Sequence, residues 1–117
     1  MLMQELVDLL NCRVILGMEF MEGLEVTACF AADLMSDVLA FAPAGSLLVT
    51  GLASIQSAHT ADVADLAGIL FVSGKSPAEP VIDLVRSQRI PLLTTELSMF
   101  EACGRLYAGG LAPGVRP

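Results

Sequence analysis

The 117-residue chain has no tryptophan, one tyrosine and one histidine. With a single His, an ordinary zinc site would need clustered cysteines. The three cysteines, Cys12, Cys29 and Cys103, lie far apart and form no C-x-x-C pair. Their odd count also argues against a disulfide framework. They read as reduced thiols that pack as small hydrophobes, so neither metal nor cofactor is expected. Positive charge is scarce. Arg13, Lys75, Arg86, Arg89, Arg105 and Arg116 stand alone against 13 acidic residues, for a net charge of -7. Without a basic face, nucleic acid is excluded as a general partner. Long apolar runs are missing too. The longest, residues 38–44, is broken by Pro43 and then Gly45, far short of the ~18 residues a membrane helix needs. Gln4, Glu5 and Asp8, with no early basic cluster, do not suit a secretory signal. The expectation is a cytoplasmic protein with no membrane partner.

Apolar residues are abundant. They make up 55% of the chain, and charged residues only 16%, above and below an ordinary soluble domain respectively. A chain of this length fits one domain and buries roughly 65% of its unfolded surface. The excess apolar surface points to self-association, and a homodimer is expected.

Three continuous apolar runs organise the chain. Leu47-Leu48-Val49 ends in Thr50-Gly51, Ile69-Leu70-Phe71-Val72 in Ser73-Gly74-Lys75, and Ile90-Pro91-Leu92-Leu93 in Thr94-Thr95. Unbroken runs suit strands covered on both faces, as in a parallel sheet. The gaps between them each hold a helix. The pattern predicts strand-helix-strand-helix-strand with right-handed crossovers. The fold class is therefore α/β: a single three-layer domain with a mostly parallel sheet flanked by helices. Strands at 13–16 and 26–31 precede these runs and can add an antiparallel edge.

An amphipathic helix is predicted over 2–10, with Leu2, Leu6, Leu9 and Leu10 inward and Asn11 as its end cap. Asp33 is placed as N-cap of a helix reaching Ala42. Ser54 starts a helix over 55–66, which Gly68 ends. Pro77 opens the next helix. Ser98 caps the last one, and Gly109-Gly110 stop it. The core spans about 14–110, and 111–117 is expected as a loose tail.

Several motifs invite chemistry and fail on spacing. Gly74-Lys75-Ser76 suggests a phosphate loop, but that loop needs glycine at position 69, which is Ile69. Asp33 with Asp37, and Glu22 with Glu25, are carboxylate pairs one turn apart without a third oxygen-rich segment. His59 has no nucleophile nearby in sequence, and no G-x-S-x-G elbow occurs. No catalytic residue is assigned. The strand carboxyl ends share one edge, where ligands usually sit. Thr50, Gly51, Ser73, Gly74, Lys75, Thr94 and Thr95 are the candidate ligand-binding residues. Lys75 beside a helix start suits a small anion such as a phosphorylated metabolite or nucleotide.

Four segments carry a resemblance: Ala32-Asp33-Leu34-Met35-Ser36-Asp37-Val38-Leu39, Leu48-Val49-Thr50-Gly51-Leu52, Ile69-Leu70-Phe71-Val72-Ser73-Gly74-Lys75-Ser76-Pro77 and Ile90-Pro91-Leu92-Leu93-Thr94-Thr95. In order and spacing the chain resembles the DRTGG domain family, over about 14–110. The resemblance implies an α/β domain similar to the N-terminal domain of HPr kinase/phosphorylase. It implies a regulatory or interface module rather than a seat of chemistry. This chain has Leu52-Ala53-Ser54 where other members carry an Asp-Arg pair, and Ser73-Gly74-Lys75 in place of Thr-Gly-Gly.

The expected function is a non-enzymatic regulatory or scaffold module that self-associates and binds a small anionic ligand, with a protein partner as a further candidate. The alternatives are a small enzyme at the strand-end edge and a purely structural subunit of a larger complex.

Overall fold

The computed structural model describes residues 1–115. Five helices and six strands follow the chain as α1 (Met3–Leu10), β1 (Arg13–Leu16), β2 (Ala28–Ala31), α2 (Met35–Phe41), β3 (Leu47–Thr50), α3 (Ile55–Val63), β4 (Gly68–Phe71), α4 (Glu79–Arg86), β5 (Leu92–Thr94), α5 (Met99–Ala108) and β6 (Ala112–Pro113). A 3-10 turn, Met18–Phe20, follows β1. The strands form one sheet in the order β1-β5-β4-β3-β2-β6. All neighbouring pairs are parallel except β1 with β5. The α/β class and the antiparallel N-terminal edge are both found.

The three central strands are fully buried, as their unbroken apolar runs require. Their side chains alternate between two cores. Leu47, Val49, Leu70, Val72 and Leu93 face α1 and α5, with Met3, Leu6, Leu10, Ala102 and Leu106. Leu48, Ile69, Phe71 and Leu92 face α2, α3 and α4, with Val38, Ala58, Ala61, Val81 and Val85. Each fully buried Leu, Val or Phe contributes about 1.5–3 kcal/mol over an exposed one.

Several expected element ends shift. The inward stripe of α1 is Met3, Leu6 and Leu10 with Leu9 half-buried beside it, while Leu2 is exposed. Asn11 does cap α1, in a left-handed conformation that Asn tolerates. The second strand begins at Ala28 rather than 26. Asp33 does not cap α2: Leu34 holds the N-cap position, and the Asp33 carboxylate takes donors from β3 instead. Ser54 holds the N-cap position of α3, but its hydroxyl makes no capping bond. Gly68 opens β4 instead of ending α3, which finishes at Val63 with Asp65 turning left-handed behind it. A side chain at Gly68 would press on Met3 of α1, so its glycine serves packing across the sheet. Pro77 lies in the loop, and Pro80 takes the first turn of α4. Ser98 caps α5 as expected, accepting from the Glu101 amide at 3.2 Å.

The expected loose tail is docked as far as it is described. Ala112 and Pro113 pair with Ala28 and Cys29, and Leu111 is buried. An edge strand is where proline is tolerated, since its missing N–H faces outward. Residues 116–117 of that tail lie outside the described residues.

Candidate functional site

The strand order decides where a crevice can open. Chain direction carries β2, β3, β4 and β5 side by side, through α2, α3 and α4 on one face. From β5 the chain reverses, crosses through α5 on the other face, and adds β6 beyond β2. With one crossover hand throughout, reversing direction flips the face. The loops leaving β4 and β5 therefore diverge, which is the geometry of a ligand crevice.

Here the crevice is stitched shut by the chain itself. The Ser73 amide donates to the Leu97 carbonyl at 2.7 Å, and the Gly74 amide to the Thr95 carbonyl at 2.8 Å. The Thr94 hydroxyl donates to the Lys75 carbonyl at 2.8 Å. The Lys75 amide turns back on Val72 at 3.2 Å. The free amides that the sequence suggested for an incoming anion are therefore already spent. Ser73 and Gly74 are both left-handed, with φ of 59° and 68°. A side chain on Gly74 would lie 2.5 Å from Glu96 Oε2, so a carboxylate sits against this turn.

A second carboxylate organises the neighbouring strand end. Asp33 Oδ1 accepts from the Thr50 hydroxyl at 3.0 Å and from the Gly51 amide at 2.7 Å. Thr50 Oγ1 in turn accepts from the Leu52 amide at 3.1 Å. The Thr50 side chain is fully buried, and a buried hydroxyl needs this partner. The Asp33 carboxylate thus fastens the end of β2 to the end of β3.

Sheet register separates the candidate residues. Thr50 pairs with Phe71, and Phe71 with Thr94. Thr50 and Thr94 therefore share one face and flank Phe71, about 10 Å apart at the usual strand spacing. Thr95 points to the opposite face, where its hydroxyl donates to the Leu10 carbonyl of α1 at 2.8 Å. Gly51 and Gly74 are half-buried, while Ser73 and Lys75 are exposed. The edge so brings together Thr50, Gly51, Ser73, Gly74, Lys75 and Thr94, and leaves Thr95 behind the sheet. Lys75 makes no ion pair among the described residues. His59 is exposed on α3.

A groove of about 810 Å³ lies elsewhere, between α5 and the β2–β6 end of the sheet. Its walls include Cys29, Ala31, Phe100, Gly104, Tyr107 and Val115, and no charged residue lines it. Layer widths explain it. Two helices of about 10 Å cover about four strands at about 4.8 Å spacing. The other face has three helices; this one has α1 and α5 only. The uncovered strands are β2 and β6. Phe100 is 90% exposed and Tyr107 72%. Neither residue is among the candidate site residues that the sequence suggests. The signal was two aromatic residues seven apart on the face that should be polar.

All three cysteines are unpaired and half-buried. Burial pushes the Cys12 thiol up to about 11, and Cys29 likewise to about 11, with Cys103 adding a smaller push. Burial also raises Cys103. Such thiols are poor nucleophiles at neutral pH. Among the described residues no three His, Cys, Asp or Glu side chains form a metal-binding group. No helix among them is long and apolar enough to cross a membrane.

No family model matches the chain, and no curated protein does. A solved structure does. The CBS and DRTGG domains of the regulatory region of Clostridium perfringens pyrophosphatase, complexed with the activator diadenosine tetraphosphate, superpose with a TM-score of 0.69 at 16% identity. The match covers 94% of this chain and 47% of that one. The likeness is one of fold. This chain spans about half of that regulatory region, and the shared architecture is the DRTGG-like α/β fold that the four sequence segments suggested.

Proposed function

We propose that this chain is a non-enzymatic regulatory or scaffold module that self-associates and takes a small phosphorylated ligand at its strand-end edge, against exposed Lys75 on the outside of the loops that close the crevice. The observation that carries self-association is the uncharged groove beside α5, with Phe100 and Tyr107 standing in solvent on a small, strongly acidic domain. Contiguous apolar surface of this kind marks an interaction face. Light scattering at micromolar concentration is expected to give twice the 12.3 kDa chain mass. A 12.3 kDa particle would sink the reading.

The ligand reading is supported by the similar fold of a regulatory region complexed with diadenosine tetraphosphate, and by Lys75. That lysine is exposed at the diverging loops and unpaired among the described residues. A charge-assisted hydrogen bond there is worth about 1.5–3 kcal/mol before ordering costs. Asp33 and Glu96 oppose an anion, so affinity is expected to be modest. The ligand should be sought by thermal shift among nucleotides and phosphorylated metabolites. Lys75→Ala is expected to weaken the best hit several-fold by calorimetry. Equal affinity in both proteins would place the ligand elsewhere. Silence from every phosphorylated compound would favour a structural subunit instead. The non-enzymatic reading is supported by the strand-end polar groups: Asp33, Thr50 and Thr94 are each engaged in holding loops together.

A further inference from the structure

A chain of net charge -7 repels a second copy of itself at most of its surface. The helices share that bias. α1 carries Glu5 and Asp8, α2 carries Asp37, α3 carries Asp62, and α4 carries Glu79 and Asp83 against Arg86. Among the described helices α5 alone is balanced, with Glu101 and Arg105. Its outward face holds Phe100, Gly104 and Tyr107, which stand at helical spacings of four and three and so share one side. A side chain on Gly104 would meet nothing within 4 Å. A glycine inside a helix weakens it, and no contact within the protomer calls for this one.

We propose that α5 is the two-fold interface of a homodimer, packed antiparallel against α5 of a second copy, with the helices crossing at Gly104. The proposal rests on the self-association inferred above and names its surface. The partner's helix supplies the third helix that the α1–α5 layer lacks over β2 and β6. At the glycine two helix backbones can approach closely. An antiparallel crossing there sets Phe100 opposite the small Ala108 of the partner subunit, and the reverse by symmetry, so one patch is complementary to itself. Glu101 and Arg105 lie beside this face and pair with each other within α5 at 3.7 Å, and Arg105 also donates to the Leu9 carbonyl of α1 at 3.2 Å, so α5 brings no unpaired charge to the seam. The net acidic charge of the other helices would oppose the same self-pairing there.

The test is sedimentation equilibrium on the full chain, with thermal unfolding as a check on the fold. Wild type is expected at the dimer mass. Phe100→Asp and Gly104→Glu are expected at the monomer mass with the fold retained, because both sites face solvent in the protomer. Gly104→Ala, which favours the helix, should weaken the dimer several-fold without impairing the isolated domain. A dimeric wild type whose Phe100 and Gly104 variants stay equally dimeric would overturn the α5 interface and leave self-association standing. A monomeric wild type at the highest attainable concentration would overturn both.

Discussion

Phe71→Ala is expected to cost about 3–5 kcal/mol, a large share of the 5–15 kcal/mol that holds a domain together. Phe71 ends β4, a central strand with a parallel neighbour on each side. It is fully buried and is the bulkiest of the wholly enclosed side chains. It packs into the core under α2, α3 and α4, among Val38, Ala58, Ala61, Val81 and Val85. Those neighbours hang from three separate helices, so they cannot all close on the space a methyl leaves. Loss of transfer energy and a residual cavity then add. The position also sits between Thr50 and Thr94 in the sheet row. A collapse there should loosen the strand-end loops as well. Urea unfolding measures it: with a slope of about 1–3 kcal/mol per molar, the midpoint should fall by more than about 1 M. Phe71→Leu, which keeps most of the volume, should lose less than half as much. An alanine variant within about 1 kcal/mol of wild type would refute this account of the core.

Gly17→Ala is expected to cost about 2–5 kcal/mol, from backbone strain and a backbone clash together. Gly17 follows β1 at φ of 86°. A side chain there would lie 2.5 Å from the Ile90 carbonyl oxygen and 2.7 Å from Pro91 Cα. Both atoms belong to the backbone entering β5, which no rotamer change can move aside. Since β1 pairs antiparallel with β5, the substitution pushes the edge strand off the sheet. Gly45→Ala is the control. It has φ of 83° and open space around the new methyl, so it carries the strain of about 1–2 kcal/mol alone. Thermal unfolding of the two variants separates the terms. Equal losses would show that the contact with Ile90 and Pro91 contributes nothing.

Much of the architecture could be read from residue order. A run such as Ile69-Leu70-Phe71-Val72 has no polar face, so its strand must be covered on both sides. Three such runs with helical gaps leave little choice but a parallel sheet. The Ser98 cap of α5 and the Asn11 end of α1 were legible because each depends on residues within one helical turn. The helix start at Asp33 departs from expectation for the complementary reason. Asp33 could satisfy a nearby amide or a distant one, and the Gly51 amide, 18 residues on, won at 2.7 Å.

The candidate site divides along the same line. Sequence alone determined that Thr50, Ser73 and Thr94 end buried strands, and that parallel strands put their ends on one edge. Only the tertiary structure decided what those ends do there. The Ser73 and Gly74 amides are consumed by Leu97 and Thr95, carbonyls from another loop. The one-residue step from Thr94 to Thr95 sends the second hydroxyl through the sheet to Leu10. Local periodicity cannot report such pairings, because they depend on how the loops from β4 and β5 part at the edge. The groove beside α5 is of the same kind. Phe100 and Tyr107 are visible in the sequence, but their exposure is set by a count of layers. Two helices lie where six strands need three, and that shortfall exists only once the sheet is assembled.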